Sequence, residues 1–192
     1  EGHILASIFD GTKLPHVTFP GVALLISGGH TELVLMKEWA QYERIGETRD
    51  DAVGEAFDKA ARMLGLPYPG GPEISKLAKS ARENDITTWI KLPRPMLESG
   101  DLDFSFSGIK TSVRYAVEKK GGSIALTEEE RMGIARDFEE SVTEVLQKKT
   151  RRAVDQHGAH TVIVGGGVSA NTYIREVFTE IFAREYPDVT LF

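Results

Sequence analysis

Two glycine turns and one carboxylate are the residues of this chain best suited to chemistry. Ser27-Gly28-Gly29 follows the apolar run Val22 to Ile26, and Gly165-Gly166-Gly167 follows the apolar run Thr161 to Val164. Glycines carry no Cβ, so their backbone N–H groups can close on an anion, and Ser27 adds a hydroxyl. The second turn precedes a segment that reads as helix from near Ala170, whose unpaired N–H groups and positive dipole end favour an anion or a polar ring. Each turn alone reads more readily as a plain hairpin turn than as a phosphate cradle. Two such turns at the C-terminal ends of strands in one sheet point to a nucleotide or nucleotide-like ligand between them. Neither turn is followed by Gly-Lys-Ser/Thr and neither forms a dinucleotide fingerprint, which argues against a P-loop NTPase and a nicotinamide enzyme.

Asp58 falls on the polar face of a predicted helix, in sequence terms within reach of the Ser27 turn; the plainer reading is a solvated side chain. His3 and His30 are isolated, and no second histidine lies four residues from His3 in the chain. The residues alone do not support a metal centre. With no cysteine, disulfides, thiolate metal sites and cysteine nucleophiles are excluded.

The elements that must position these groups follow from periodicity. Val22 to Ile26, Glu32 to Met36 and Gln41 to Glu47 read as closely joined strands, hence an antiparallel meander. Thr48 and Asp51 offer a capping pattern for a helix that buries Ala52, Val53, Ala56, Phe57, Ala60, Met63 and Leu64 and stops at Gly65. Pro72 can open a short helix carrying Ile74, Leu77 and Ala78. Residues 84–104 read as irregular, with Pro93 and Pro95 against any long element. The stretch after Phe104 to Gly108 reads as a helix burying Ile109, Val113, Ala116 and Val117. A capping box from Thr127 to Glu130 opens the longest helix, whose buried stripe runs from Ile134 to Ala153 and which ends at Gly158. Thr161 to Val164, a helix carrying Ile174, Val177, Ile181 and Phe182, and Val189 to Phe192 complete the order. Parallel strands need a crossover, so the last two strands should lie parallel to the first. The expected fold is α/β and ribonuclease H-like, a mixed five-stranded sheet with a helical insertion at 49–120.

The 192 residues allow one good core, and 41% hydrophobic with 27% charged residues is ordinary for a globular protein. A net charge of −6 argues weakly against nucleic-acid binding by this chain alone. Lys148, Lys149, Arg151 and Arg152, like Lys119 and Lys120, form local basic runs that read as solvated helix faces. No apolar run approaches a membrane span and no signal peptide is visible, so the cytoplasm is the expected location. Starting at Glu1 and stopping within an apparent strand, the chain reads as an excised piece of a longer protein.

Six motifs in order carry a family resemblance: Glu1-Gly2-His3, Ala23 to Thr31, Asp50 to Lys59, Tyr68-Pro-Gly-Gly-Pro72, Asp103 to Thr111, and Gly166-Gly-Val-Ser-Ala-Asn171. The set resembles the bacterial-type TsaD family, tRNA threonylcarbamoyladenosine transferases once called glycoproteases or O-sialoglycoprotein endopeptidases. The resemblance implies an acyltransferase of the actin-like ATPase and sugar-kinase superfamily, with two ribonuclease H-like lobes around a cleft. It would move threonylcarbamoyl from threonylcarbamoyl-AMP to the exocyclic amine of the tRNA adenosine beside the anticodon. Residues 1–16 would be a remnant of the first lobe and 17–192 the second lobe. Substrate contacts carry over to Leu25, Ile26, Ser27, Gly28, Gly29, Asp58, Gly71 and Asn171. The Ser27 loop would face phosphate and carbamoyl oxygens, and Asp58 with Gly71 the ribose and adenine. Asn171 would close the pocket, with ATP or threonylcarbamoyl-AMP as ligand.

The family's iron or zinc is held by two histidines four apart and a distant aspartate. His3 matches the second histidine, and the other two ligands would fall before residue 1 and after residue 192. A metal is therefore expected to be absent or weakly held, and the chain alone inactive in transfer. Implied partners are tRNA, a TsaB-like paralogue and a TsaE-like ATPase, without a membrane. Apolar surface left by the missing lobe could drive self-association. Two other readings compete: a metalloprotease, against which the absence of His-Glu-x-x-His counts, and a non-catalytic nucleotide-binding lobe.

Overall fold

A computed structural model describes residues 17–192. The remnant expected at 1–16 and the metal ligand expected at His3 lie outside the described residues. Strands β1 (Gly21–Ile26), β2 (Thr31–Glu38) and β3 (Gln41–Glu47) form an antiparallel meander. Helices α1 (Val53–Met63), α2 (Gly70–Glu83), α3 (Ser107–Lys119) and α4 (Glu128–His157) follow, then β4 (Thr161–Gly165), α5 (Thr172–Glu185) and β5 (Thr190–Leu191). The sheet order is β3-β2-β1-β4-β5, with β4 parallel to β1 and β5 parallel to β4. This is the ribonuclease H-like layout expected from the order of periods. All six residues of β1 are buried, as a central strand covered on both faces requires.

The main core lies between the sheet and the helices. Phe57 of α1 meets Phe138 of α4 edge-on at 5.1 Å, and Val22, Leu24 and Ile26 face them from β1. A second, smaller cluster of Ala23, Leu25, Val34, Met36 and Ile163 occupies the opposite sheet face. The α4 start carries the predicted capping box, with Thr127 and Glu130 satisfying each other's N–H groups, and Gly158 ends the helix at φ +59°.

Three local expectations are corrected. The cap of α1 comes from neither Thr48 nor Asp51: the Val53 N–H donates to Thr31 Oγ1 at 2.8 Å, so the end of β1's hairpin partner caps the helix. Asp51 instead takes Lys59 and Lys110, at 2.8 and 2.6 Å. Burial alone would raise the Asp51 carboxyl, but the two ammonium groups outweigh it and hold it below the usual range. Second, α2 begins at Gly70 rather than Pro72 and runs 14 residues, because Asp58 anchors its first turn. Pro72 still sits in that first turn, where no backbone donor is needed.

Third, the basic run on α4 is not one solvated face. Lys149 is 0% exposed and donates to Ser99 Oγ, Asp101 O and Asp101 Oδ1. Arg152 donates to Asp101 O at 3.0 Å. The chain at 97–101 covers the side of this 30-residue helix that carries Lys149 and Arg152, so that side is not open to solvent. Burial lowers the Lys149 pKa; the Ser99 hydroxyl first, and Lys149 after it, hold the Asp101 carboxyl down at about 2 against its burial.

Candidate functional site

The turn after β1 is a closed staple. The Ser27 N–H donates to His30 O, while the N–H groups of Gly29 and His30 turn back onto Ser27 Oγ at 3.3 and 3.0 Å. The sequence suggests a row of backbone donors here; the N–H groups of Ser27, Gly29 and His30 are all spent inside the turn. What remains, among the described residues, is the Gly28 N–H and the hydrogen of the Ser27 hydroxyl, for neither of which a partner stands in range. Helix α1 supports the turn from below: the Gly54 N–H donates to Ser27 O at 3.1 Å. A Cβ on Gly54 would come within 2.7 Å of that oxygen, so this glycine in the first turn of α1 is what lets the helix start reach the turn.

The second turn arrives at the same rim because β4 lies parallel to β1, with Gly165 beside Leu25. Gly166 takes φ +96° and presses on the β1 backbone, where a Cβ would sit 2.3 Å from Ile26 O. A single 3-10 turn, Gly167–Ala170, separates it from α5, which starts at Thr172, two residues after the expected Ala170. Asn171 caps α5 instead, its Oδ1 accepting from the Ile174 N–H at 3.0 Å.

Between the turns lies a cavity of about 340 Å3, lined among others by Gly28, Gly54, Phe57, Asp58, Gly71 and Asn171. Small-molecule sites run roughly 300–1,000 Å3. Asp58 is not a solvated helix residue. Its Oδ1 accepts the Gly70 N–H at 2.8 Å, locking the α1–α2 junction, and its Oδ2 has no partner among the described residues. Gly70 fits only because it lacks a Cβ, which would fall 2.5 Å from Ala61. At Gly28, Gly71 and Gly167, by contrast, nothing stands within 4 Å of a Cβ position, so these glycines border open space.

The structure thus gathers Gly28, Asp58, Gly71 and Asn171 on one cavity. Leu25, Ile26 and Ser27 line a smaller depression of about 130 Å3 with His30, Glu32, Gly166 and Gly167, and Gly167 borders both. Gly29 lines neither of the two. Sequence reasoning missed Gly54, Phe57 and Ser75. Ser75 stands one helical turn after Gly71 and accepts from Asn171 Nδ2 at 2.7 Å, leaving its own hydrogen free to donate. The spacing Gly71 to Ser75 was the available signal.

Farther out, Asp50 ties the α1 approach to α3. It accepts from the Ser105 and Ser107 hydroxyls and from the Phe106 and Ser107 N–H groups. Burial pushes its carboxyl up, but these four donors prevail and hold it below the usual value. Among the described residues no three His, Cys, Asp or Glu side chains cluster closely enough to hold a metal. No described helix is long and apolar enough to cross a membrane.

Comparison with known proteins places this architecture in a family. The family model described as TsaD, tRNA N6-adenosine threonylcarbamoyltransferase, matches residues 1–191. The chain is 47% identical over 190 residues to the tRNA N6-adenosine threonylcarbamoyltransferase of Chromobacterium violaceum, covering 98% of this chain and 54% of that protein. It is 50% identical over 176 residues to the same enzyme of Methylobacillus flagellatus (92% and 49% covered) and 44% identical over 192 residues to that of Bacillus licheniformis (98% and 53% covered). The chain spans about half the length of the curated relatives it matches. It belongs to the TsaD family of tRNA N6-adenosine threonylcarbamoyltransferases.

Proposed function

We propose that this chain supplies the adenylate-holding half of a threonylcarbamoyl transfer site. In this reading residues 17–192 are the second ribonuclease H-like lobe, and 49–120 is the helical insertion that walls one side of the pocket. The observation that carries it is the convergence of Gly28, Asp58, Gly71 and Asn171 on one cavity at the rim where β1 and β4 end. Asp58 Oδ2 would accept from a ribose hydroxyl, and the open ground over Gly71 would admit the adenine. The Gly28 N–H and Ser27 O–H would face the phosphate and carbamoyl oxygens. Donors fixed there before reaction stabilise the charge that develops as the anhydride breaks.

In the transfer, the exocyclic amine nitrogen of the tRNA adenosine attacks the carbamoyl carbon of threonylcarbamoyl-AMP. The bond from that carbon to the phosphate oxygen breaks, AMP leaves with the electron pair, and the amine gives up one proton. Outside the pocket, tRNA, a TsaB-like paralogue and a TsaE-like ATPase are the partners this reading entails, and the apolar faces of the lobe would meet protein. Iron or zinc would be held with His3 and ligands from elsewhere in the whole enzyme.

Calorimetric titration with a stable threonylcarbamoyl-AMP analogue tests the pocket. Asp58→Asn keeps an oxygen for the Gly70 N–H but loses the charge, and should weaken binding about tenfold, equivalent to roughly 1.4 kcal/mol. Unchanged affinity in that variant, or no binding by the parent chain at millimolar analogue, would overturn the reading.

A further inference from the structure

Glu139 lies near the middle of α4, is 0% exposed, and has no place in an apolar core unless something needs its charge. Each of its oxygens has one partner: Oε1 accepts from Asn171 Nδ2 at 2.8 Å, and Oε2 is held by Arg82 of α2. Arg82 in turn stacks over the Tyr173 ring at 3.9 Å. Asn171 Nδ2 also donates to Ser75 Oγ, and Asn171 Oδ1 accepts from the Ile174 N–H. Turning the amide over would set Oδ1 against a carboxylate oxygen and the NH2 against a backbone N–H, so only one orientation is tolerable. Both amide hydrogens of Asn171 are therefore spent on Glu139 and Ser75. Buried ion pairs contribute little net stability, and fixing one arrangement is their best-attested use.

We infer that Glu139, clamped by Arg82, is a positioning residue of the pocket: it locks the Asn171 amide so that Asn171 and the Ser75 hydroxyl meet the ligand in one fixed geometry. The cluster joins α2, α4 and the start of α5, so it also fixes the distance between the Gly71 wall and the Gly167 wall. It acts through Asn171 and does not itself touch the ligand. This rests on the adenylate reading of the cavity, and its consequence for affinity is read with the same analogue.

A glutamine at 139 offers a single acceptor oxygen, so either Asn171 or Arg82 must lose its partner. Glu139→Gln should weaken analogue binding about tenfold, and the loss should vanish in an Asn171→Ala background. Additive losses in that double-mutant cycle would overturn the inference, since a merely structural residue acts whether or not Asn171 is present. A ligand-free readout is the pair of Asn171 side-chain amide proton resonances by NMR. They should be protected from exchange in the parent chain and exposed in Glu139→Gln; unaltered protection would equally overturn it. If Glu139→Gln fails to fold, Arg82→Gln at the partly exposed end of the clamp serves for both measurements. A parent chain that binds no analogue counts against the adenylate reading alone, and the amide resonances then decide the positioning role by themselves.

Discussion

At Gly166 a Cβ would stand 2.3 Å from Ile26 O with φ at +96°, whereas at Gly28 nothing lies within 4 Å of where a Cβ would go. The two turns border the same space, but Gly166 is demanded by the backbone behind it and Gly28 by nothing the described residues place at its Cβ position. Gly166 lets β4 leave the sheet while pressed against β1. Gly28 sits over a turn already closed by Ser27 Oγ and supported by Gly54. Glycine runs that look alike in sequence thus divide into a folding requirement and a vacancy in front of a cavity, and the division is open to test.

The sharpest break would come at the second turn. Gly166→Ala forces a side chain into the left-handed region and into a carbonyl oxygen, which together should cost about 3–5 kcal/mol. Stabilities of whole domains are only ~5–15 kcal/mol, so the urea midpoint should drop steeply or the fold be lost. A midpoint within error of the parent would remove the distinction drawn between the turns.

The first turn has its own supports, and Thr31 is the one to cut. Thr31→Val keeps the shape but leaves the Val53 N–H, buried at the α1 start, without an acceptor. Leaving a buried donor unpaired costs roughly 1–3 kcal/mol. Because α1 also carries Gly54 and Asp58, the variant should lose stability and analogue affinity together. Loss of stability with intact affinity would mean that α1 does not hold the Ser27 turn in place.

Much of this arrangement is legible in the chain because it is local. The buried β1 run, the Thr127–Glu130 box and the stop at Gly158 each depend on residues within a few positions of one another, and the order of periods is enough to set β4 parallel to β1. The supports of the site are of another kind. Thr31 reaches Val53, Asp58 reaches Gly70, Glu139 reaches Asn171 and Asn171 reaches Ser75, the last pair 96 positions apart. No periodicity encodes such pairings; they exist once the helices have docked. Lys149 misled for the same reason, since its burial depends on the distant Ser99 and Asp101 rather than on the pattern of α4.

The smallest effect on folding is expected where the comparison is most informative. Gly28→Ala places a methyl into empty space with no contact to relieve or create, so stability should stay within about 0.5 kcal/mol of the parent. That methyl would nevertheless project where the anhydride oxygens are proposed to lie, beside the Gly28 N–H. Affinity for the stable threonylcarbamoyl-AMP analogue should fall on the order of tenfold, or about 1.4 kcal/mol. Urea unfolding and calorimetry on the same preparation separate the two quantities. If the variant binds as well as the parent, the space over Gly28 is not where the ligand sits, and the anion-facing role would pass to the depression behind Ser27, His30 and Glu32.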